Sequence, residues 1–344
     1  MGQKRSIFEE VGAESRPQAP RGGMIDAGPK GGRGAVRLWL AALVALIGAM
    51  LLLGGAARLL DPALAGAGLE LGWFAPVPGA EGAPGAVLPW LAASAGRGAL
   101  LGWVLGVLGF GLTGRLPKGR GWAIAGIGLT LAGAGGMGGW LPGLSGVSAA
   151  VATGSSVLGG FAALGMAAGS WLRLARPEAA LLQARRLGER RLAGLATGVM
   201  HLSLVQILLG GMLAGLDAGR SFTDWPLMGG ALWPAGALDG ALWENTALIQ
   251  FAHRGLGYLV VILALVAALK GRRSAHPVTQ TAFLWLGALA ILQAALGIAS
   301  VVHAAPLSFG LAHGVGAILL WLATIRARIL ARLPIVQSIR GGAK

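Results

Sequence analysis

The sequence predicts an all-α membrane protein with eight transmembrane helices in two four-helix halves and with both termini in the cytoplasm. Of its 344 residues, 55% are hydrophobic and only 12% are charged, about half the charged fraction of a typical soluble domain. Glycine is abundant, at 61 residues, as expected where membrane helices pack closely through small side chains. The number of helices follows from the apolar segments, and their orientation follows from the charges between them.

Eight apolar segments are each close to the roughly 20 residues that an α-helix needs to cross a bilayer. The second and the fourth are the richest in Gly and Ala. The segments cover residues 37–58, 87–112, 121–141, 145–172, 193–216, 247–269, 279–301 and 307–327.

The charges between the segments give the orientation. Basic residues are concentrated in both tails and in every second loop, whereas the other loops carry mainly acidic residues. The positive-inside rule then places the basic loops and both termini in the cytoplasm. The same distribution explains the net charge of +15, so the charge indicates a bilayer and not a nucleic-acid partner.

A short repeat divides the chain into two halves. The stretches Leu53–Asp61 and Leu209–Asp217 both begin Leu-Gly-Gly, end Leu-Asp and close an outward-going helix. We therefore expect a disordered cytoplasmic tail at 1–36, an N-terminal four-helix half at 37–172, a basic cytoplasmic linker at 173–192, a C-terminal four-helix half at 193–327 and a cytoplasmic tail at 328–344.

Histidine is the side chain that narrows the search for a cofactor site. There are no cysteines, which excludes disulfides, iron–sulfur clusters and thiolate metal sites. Among the five histidines, His253 and His313 each lie about six residues inside the outer end of a predicted helix, roughly 9 Å deep. Two imidazoles at one depth in a bundle can supply both axial ligands of a heme iron, although each could instead only hydrogen-bond within the bundle.

The neighbouring Arg254 strengthens the heme interpretation, because an arginine is costly in lipid and a heme propionate would pair with it. The other histidines are poorer ligands. His201 is nearer the cytoplasmic leaflet, His276 lies in a cytoplasmic loop, and His303 lies in a short outer loop, where it could touch a substrate or simply be solvated.

Motifs around these residues resemble the heme A synthase family. They match it in order and spacing over about 185–335, and the type resembled is the Cys-free one of proteobacteria and mitochondria. The motifs are Ala214–Gly219, Thr223–Met228, Glu244–Asn245, Gln250–Arg254, Leu292–Ile298, Ala305–Pro306 and His313.

The resemblance implies two pseudo-symmetric four-helix halves in a bacterial inner membrane. It implies oxidation of the C8 methyl of heme O to a formyl group, which gives heme A for cytochrome oxidase. The C-terminal half would bind heme b, with His253 and His313 as axial ligands of the iron, while the N-terminal half would take heme O. Heme O synthase and oxidase assembly proteins are the candidate protein partners.

The N-terminal half departs from the family pattern. The family has a Glu-x-x-His-Arg-like motif at the start of segment two and a further His in segment four. Here the stretch Ala92–Arg97 retains only Arg97, and segment four has no His. The outer loop after segment one is also short, and its Glu70 and Glu81 could replace the missing acid only if that loop folds over the site. The sequence therefore assigns no catalytic residue.

Two other functions stay open at the level of sequence. A non-catalytic relative in electron transfer or oxidase assembly would keep the heme b half-site alone. A transporter would also contain repeats, but here each half has an even number of helices and no broken polar helix is evident. A pigment spectrum separates heme proteins from transporters, and conversion of heme O separates an enzyme from a non-catalytic relative.

Overall fold

The computed structural model describes residues 32–61, 84–139 and 148–335. At 84–86 and 136–139 it describes the backbone alone. Glu70 and Glu81 lie outside these ranges, as do residues 1–31 and 336–344. No strand occurs in the described ranges. The helices found there are α1 Gly32–Leu60, α2 Pro84–Leu112, α3 Gly121–Gly139, α4 Ala149–Leu174, α5 Glu178–Arg186, α6 Arg190–Gly215, α7 Thr246–Gly271, α8 Pro277–Val302 and α9 Leu307–Arg332.

Seven of these helices are long and apolar enough to cross a membrane, namely α1, α2, α4, α6, α7, α8 and α9. Helix α3 is apolar but shorter, with 19 residues. The predicted all-helical membrane architecture is therefore confirmed for the described residues.

The helices extend beyond the apolar segments that predicted them. Helix α1 begins at Gly32, inside the range 1–36 that was expected to be disordered, and α9 continues to Arg332. The expected linker 173–192 contains the nine-residue helix α5, whose Leu181 and Ala184 are buried. A helix satisfies its own backbone hydrogen bonds, so it need not stop where the apolar segment ends.

Helices α1–α4 form an N-terminal set and helices α6–α9 form a C-terminal set, and each set packs in a closed ring. In the C-terminal set, α6 and α8 both contact α7 and α9, which places α7 and α9 diagonally opposite each other. In the N-terminal set, α1 and α3 both contact α2 and α4 in the same way. The two sets meet where α4 packs against α6 and α9 and where α1 packs against α9.

Small residues and one tryptophan join the two sets. A Cβ added to Gly211 of α6 would come within 2.7 Å of the Gly154 Cα of α4, so only glycine permits this approach. Trp321 of α9 is buried and donates from Nε1 to the Phe161 carbonyl of α4 at 2.8 Å. Gly165 leaves the space that its indole occupies. The interface therefore holds the C-terminal ring in a fixed position beside the N-terminal one.

Candidate functional site

The two predicted ligand histidines lie at matching depth in the C-terminal ring. His253 is seven residues into α7, and His313 is six residues into α9. The difference of one residue corresponds to about 1.5 Å along a helix. Because α7 and α9 are diagonal neighbours, the two imidazoles lie on opposite sides of the bundle.

Each imidazole contacts a glutamine from the adjacent helix. The Gln206 amide nitrogen of α6 lies 3.2 Å from His253 Nε2 and donates to the His253 carbonyl at 3.0 Å. The Gln293 amide nitrogen of α8 lies 3.2 Å from His313 Nε2 and donates to the His313 carbonyl at 3.1 Å. Both histidines are therefore fixed by the same pair of contacts.

A glycine one turn after each glutamine makes room for the imidazole. A Cβ added to Gly210 would lie 3.1 Å from His253 Cε1, and one added to Gly297 would lie 3.0 Å from His313 Cε1. The motif Gln-x-x-x-Gly thus occurs in both α6 and α8. A larger side chain at either glycine would press on the ring that the glutamine holds.

Buried polar atoms without a partner indicate that these residues fit a heme. In the described part of the chain, Nδ1 of His253, Nδ1 of His313 and Nε of Arg254 are buried and have no hydrogen-bond partner. Buried polar groups are normally paired, and each exception calls for an explanation. Two imidazoles match the axial positions of a heme iron, and a guanidinium N–H matches a propionate oxygen.

Arg254 also has partners that the sequence did not predict. Its Nη1 donates to the carbonyls of Asp224 at 2.9 Å and Leu227 at 3.0 Å, and its Nη2 donates to the Phe222 carbonyl at 2.7 Å. These carbonyls belong to the outer loop between α6 and α7. Arg254 therefore fastens this loop to α7, and its Nε and one N–H of Nη2 are left for a further ligand.

Gln250 and Tyr258, one turn before and one turn after Arg254, fasten the same loop. The buried Gln250 amide donates to the Phe222 carbonyl at 3.0 Å, and Trp225 Nε1 donates to the Tyr258 hydroxyl at 2.9 Å. Spacing of four residues places all three side chains on one face of α7. This face of α7 therefore binds the loop segment 222–227.

The outer loop also has internal order. The Asp224 carboxylate accepts from the backbone N–H groups of Gly230 and Gly229, both at 2.9 Å. These two bonds hold the pKa of Asp224 below its usual value. At the helix start, Asn245 accepts from Leu248 N at 2.8 Å, as an N-cap residue does. The ionised Asp224 therefore stabilises the loop at neutral pH. This stabilisation is lost as the pH falls through the lowered pKa of Asp224.

The remaining histidines lie away from this site. His201 is exposed on α6, His276 is the N-cap residue of α8, and His303 Nδ1 lies 2.8 Å from the Ala299 carbonyl in the outer turn before α9. The structure thus brings together the three residues that the sequence selected. It adds Gln206 and Gln293, whose role the sequence analysis missed although both precede a glycine by four residues.

The N-terminal ring contains a small cavity between α1, α2, α3 and α4. Met50 of α1 lines it together with Ala92 and Gly96, one turn apart on α2. Its volume is about 10 Å³, room for about one water molecule. Apart from Ser156 of α4, the described residues that line this cavity are apolar or small.

On the other side of the cavity, Ser156 of α4 donates to the Ala134 carbonyl of α3 at 2.8 Å. Both residues line the cavity. This contact joins α4 to α3 in the way that the contact between His313 and Gln293 joins α9 to α8.

Comparison with known proteins identifies the family. Residues 83–325 match the model of a family described as cytochrome oxidase assembly protein, COX15-CtaA. The chain is 42% identical to the heme A synthase of Paracoccus denitrificans (strain Pd 1222), over 98% of this chain and 99% of that protein. It is 39% identical to the heme A synthase of Ruegeria sp. (strain TM1040), over 98% and 99%.

The first of these alignments runs over 382 positions, whereas this chain has 344 residues. At least 38 positions of the alignment therefore have no residue in this chain. The similarity nevertheless covers nearly the full length of both proteins. By the family match and by these identities, the chain is a multi-pass membrane protein that belongs to the COX15-CtaA family, which includes the heme A synthases.

Proposed function

We propose that this chain is a heme A synthase, which oxidises the C8 methyl of heme O to a formyl group and so gives heme A for cytochrome oxidase. The observation that carries the proposal is the pair His253 and His313, at matching depth on diagonal helices and each held by a glutamine. Relatives of 36–42% identity bear this name.

In this proposal the C-terminal ring holds heme b. His253 and His313 would hold the iron, and Arg254 would hold a propionate through Nε. When bound, the heme would supply a redox centre that accepts and passes on one electron at a time. Gln206 and Gln293 orient the two imidazoles, and the loop segment 222–227 keeps water from the outer side.

The proposal includes pseudo-symmetry between the two rings. Met50 and Gln206 each precede a Leu-Gly-Gly motif by three residues. Met50 lines one cavity with Ala92 and Gly96, which are one turn apart on α2. Gln206 contacts His253 and lies beside Gly257, one turn later on α7. This correspondence pairs Ala92 of α2 with His253.

The same correspondence revises the interpretation of α2 and α4. Arg97 follows Ala92 by five residues, as Tyr258 follows His253. Arg97 therefore corresponds to Tyr258 and not to Arg254, which follows His253 directly. On α4, Ser156 takes the place of His313. The N-terminal ring thus has neither imidazole at the two positions where the C-terminal ring has its ligands.

This loss supports a second candidate function. A chain with only one pair of iron ligands fits a heme b-binding relative that acts in electron transfer or oxidase assembly without oxidising heme O. The two candidates share the C-terminal heme site and differ only in whether heme O is converted.

Conversion of heme O is the decisive experiment. The chain is expressed in cells that make heme O, and the extracted hemes are identified by chromatography and mass spectrometry. We expect heme A, and we expect none from the His313→Ala variant. Heme O left unconverted beside a chain that retains heme b would reject the synthase and support the second candidate. In that case the double variant Ala92→His, Ser156→His should raise the heme content above that of the parent chain.

We also propose that all eight long helices span a bacterial inner membrane, α3 included, with both termini in the cytoplasm. The basic turns after α2, α4 and α7 support this orientation. So does the even number of helices in each ring.

Reporter fusions should confirm this topology. Fusions after Lys118, Arg191 and Lys270 are expected to report the cytoplasm, and a fusion at Asp239 is expected to report the periplasm. Because α4 is long and apolar enough to span, Lys118 and Arg191 lie on one side of the membrane only if α3 spans as well. A periplasmic signal at one of these two, with a cytoplasmic signal at the other, would remove α3 from the set of spans.

A further inference from the structure

Arginines from four elements converge at the cytoplasmic end of the molecule. Arg173, in the last turn of α4, interacts electrostatically with four others. These are Arg120 before α3, Arg185 of α5, and Arg328 and Arg332 of α9. We call these five residues the arginine cluster. Like charges repel, so a ligand of opposite charge would stabilise this arrangement.

Few described acidic groups offset this positive charge. Glu178 interacts with Arg120, while the Glu189 carboxylate accepts from Ser274 Oγ and Ala275 N instead. The ion pair found among the described residues, Arg220 with Asp217, involves the outer loop. Burial lowers the pKa of Arg120, as does Arg185, against the opposing effect of Glu178. Among the described residues, the positive charge of the arginine cluster is therefore only partly offset.

The positive-inside rule alone does not account for the placement of these side chains. It asks only for basic residues in cytoplasmic loops, where exposed arginines such as Arg272 satisfy it. Arg120, Arg173 and Arg328 are instead half-buried between helices. The Nε atom of Arg173 is buried and lacks a hydrogen-bond partner in the described structure. A half-buried guanidinium with a free N–H is a donor for an anion.

Large apolar side chains are exposed near the ends of helices that face the cytoplasm in the proposed topology, as the arginine cluster does. Trp122, two residues after Arg120, is 93% exposed, Leu112 at the end of α2 is 88% exposed, and Leu38 near the start of α1 is 74% exposed. Tryptophan is typical of the level of the lipid headgroups. A ligand with both a negative head and apolar tails would match both surfaces, whereas a free anion would match only the arginines.

We propose that the arginine cluster binds the phosphate headgroup of an anionic phospholipid of the cytoplasmic leaflet. Arg173 donates from its buried Nε, and the other four arginines surround the phosphate. The acyl chains lie along the apolar ends of the neighbouring helices. Basic recesses between membrane helices on this side of the membrane bind anionic headgroups in this manner.

Lipid retention by the purified full chain tests this site. Protein in neutral detergent is given phosphatidylglycerol or phosphatidylcholine, retained lipids are counted by native mass spectrometry, and the thermal midpoint is followed by tryptophan fluorescence. We expect retention of phosphatidylglycerol and a higher midpoint with it than with phosphatidylcholine. Arg173→Gln should weaken phosphatidylglycerol binding by about fivefold, the value of one arginine at a charged membrane surface.

Matched variants make the test specific. Arg272→Gln removes the same charge from an exposed cytoplasmic position and should bind as the parent does, while Arg173→Lys should bind better than Arg173→Gln. Arg332→Gln, at an exposed position of the cluster, serves if Arg173→Gln does not fold. Equal retention of the two lipids, equal losses in Arg173→Gln and Arg272→Gln, or equal stabilisation by inorganic phosphate alone would each overturn the proposal.

Discussion

Replacement of His253 or His313 by alanine should abolish the low-spin heme spectrum of the purified protein. Each imidazole would supply one axial ligand, so its loss leaves a five-coordinate, high-spin iron or no heme at all. The neighbouring side chains that the structure describes are the amides of Gln206 and Gln293, which are not established heme ligands. Visible absorption, electron paramagnetic resonance and heme content per chain measure the change, and the parent chain should hold about one heme in its C-terminal ring.

Three matched variants control for nonspecific loss of heme. His201→Ala, His276→Ala and His303→Ala alter an exposed position on α6, a helix cap and an outer turn, so each should keep the parent spectrum. A His201→Ala variant that alone lost its heme would show that the ligands lie in the other leaflet. A six-coordinate low-spin iron in both His253→Ala and His313→Ala would likewise exclude the proposed ligand pair.

Replacement of Arg254 by leucine should release the outer loop and weaken heme retention. The change removes donors from three carbonyls, those of Phe222, Asp224 and Leu227. Bonds from a charged donor contribute about 1.5–3 kcal/mol each, and partial access of water reduces the total loss to about 3 kcal/mol. Heme affinity should fall by about tenfold or more, as for other residues that support a metal ligand. Thermal unfolding and heme dissociation measure both effects.

Two variants separate the loop contact from contact with a propionate. Arg254→Lys should be intermediate, because an ammonium cannot reproduce the planar fork of a guanidinium. Tyr258→Phe loosens the same loop through Trp225 but leaves Arg254 Nε in place. If Nε meets a propionate, Arg254→Leu will shift the midpoint potential of the heme and Tyr258→Phe will not. Full heme occupancy and an unchanged potential in Arg254→Leu would exclude the propionate contact.

The sequence by itself predicted the helices and the matching positions of His253 and His313 within them. An apolar run of about 20 residues is a local property. The eight segments correspond to helices α1–α4 and α6–α9, of which all but α3 are long and apolar enough to cross a membrane. Depth follows from a fixed rise per residue, so the matching positions of His253 and His313 could be counted from the loops. The full-length similarity to heme A synthases agrees with the motifs around these two residues.

Only the tertiary structure decided which groups meet. Arg254 was expected to face a propionate, yet most of its donors bind carbonyls about 30 residues earlier in the chain. The pairing of Gln206 with His253 and the place of Ala92 opposite Met50 depend likewise on how separate helices are arranged. Hydropathy and helical rise describe one segment at a time. Contacts between helices depend instead on side-chain shape, on small residues at their interfaces and on the direction in which each helix face points.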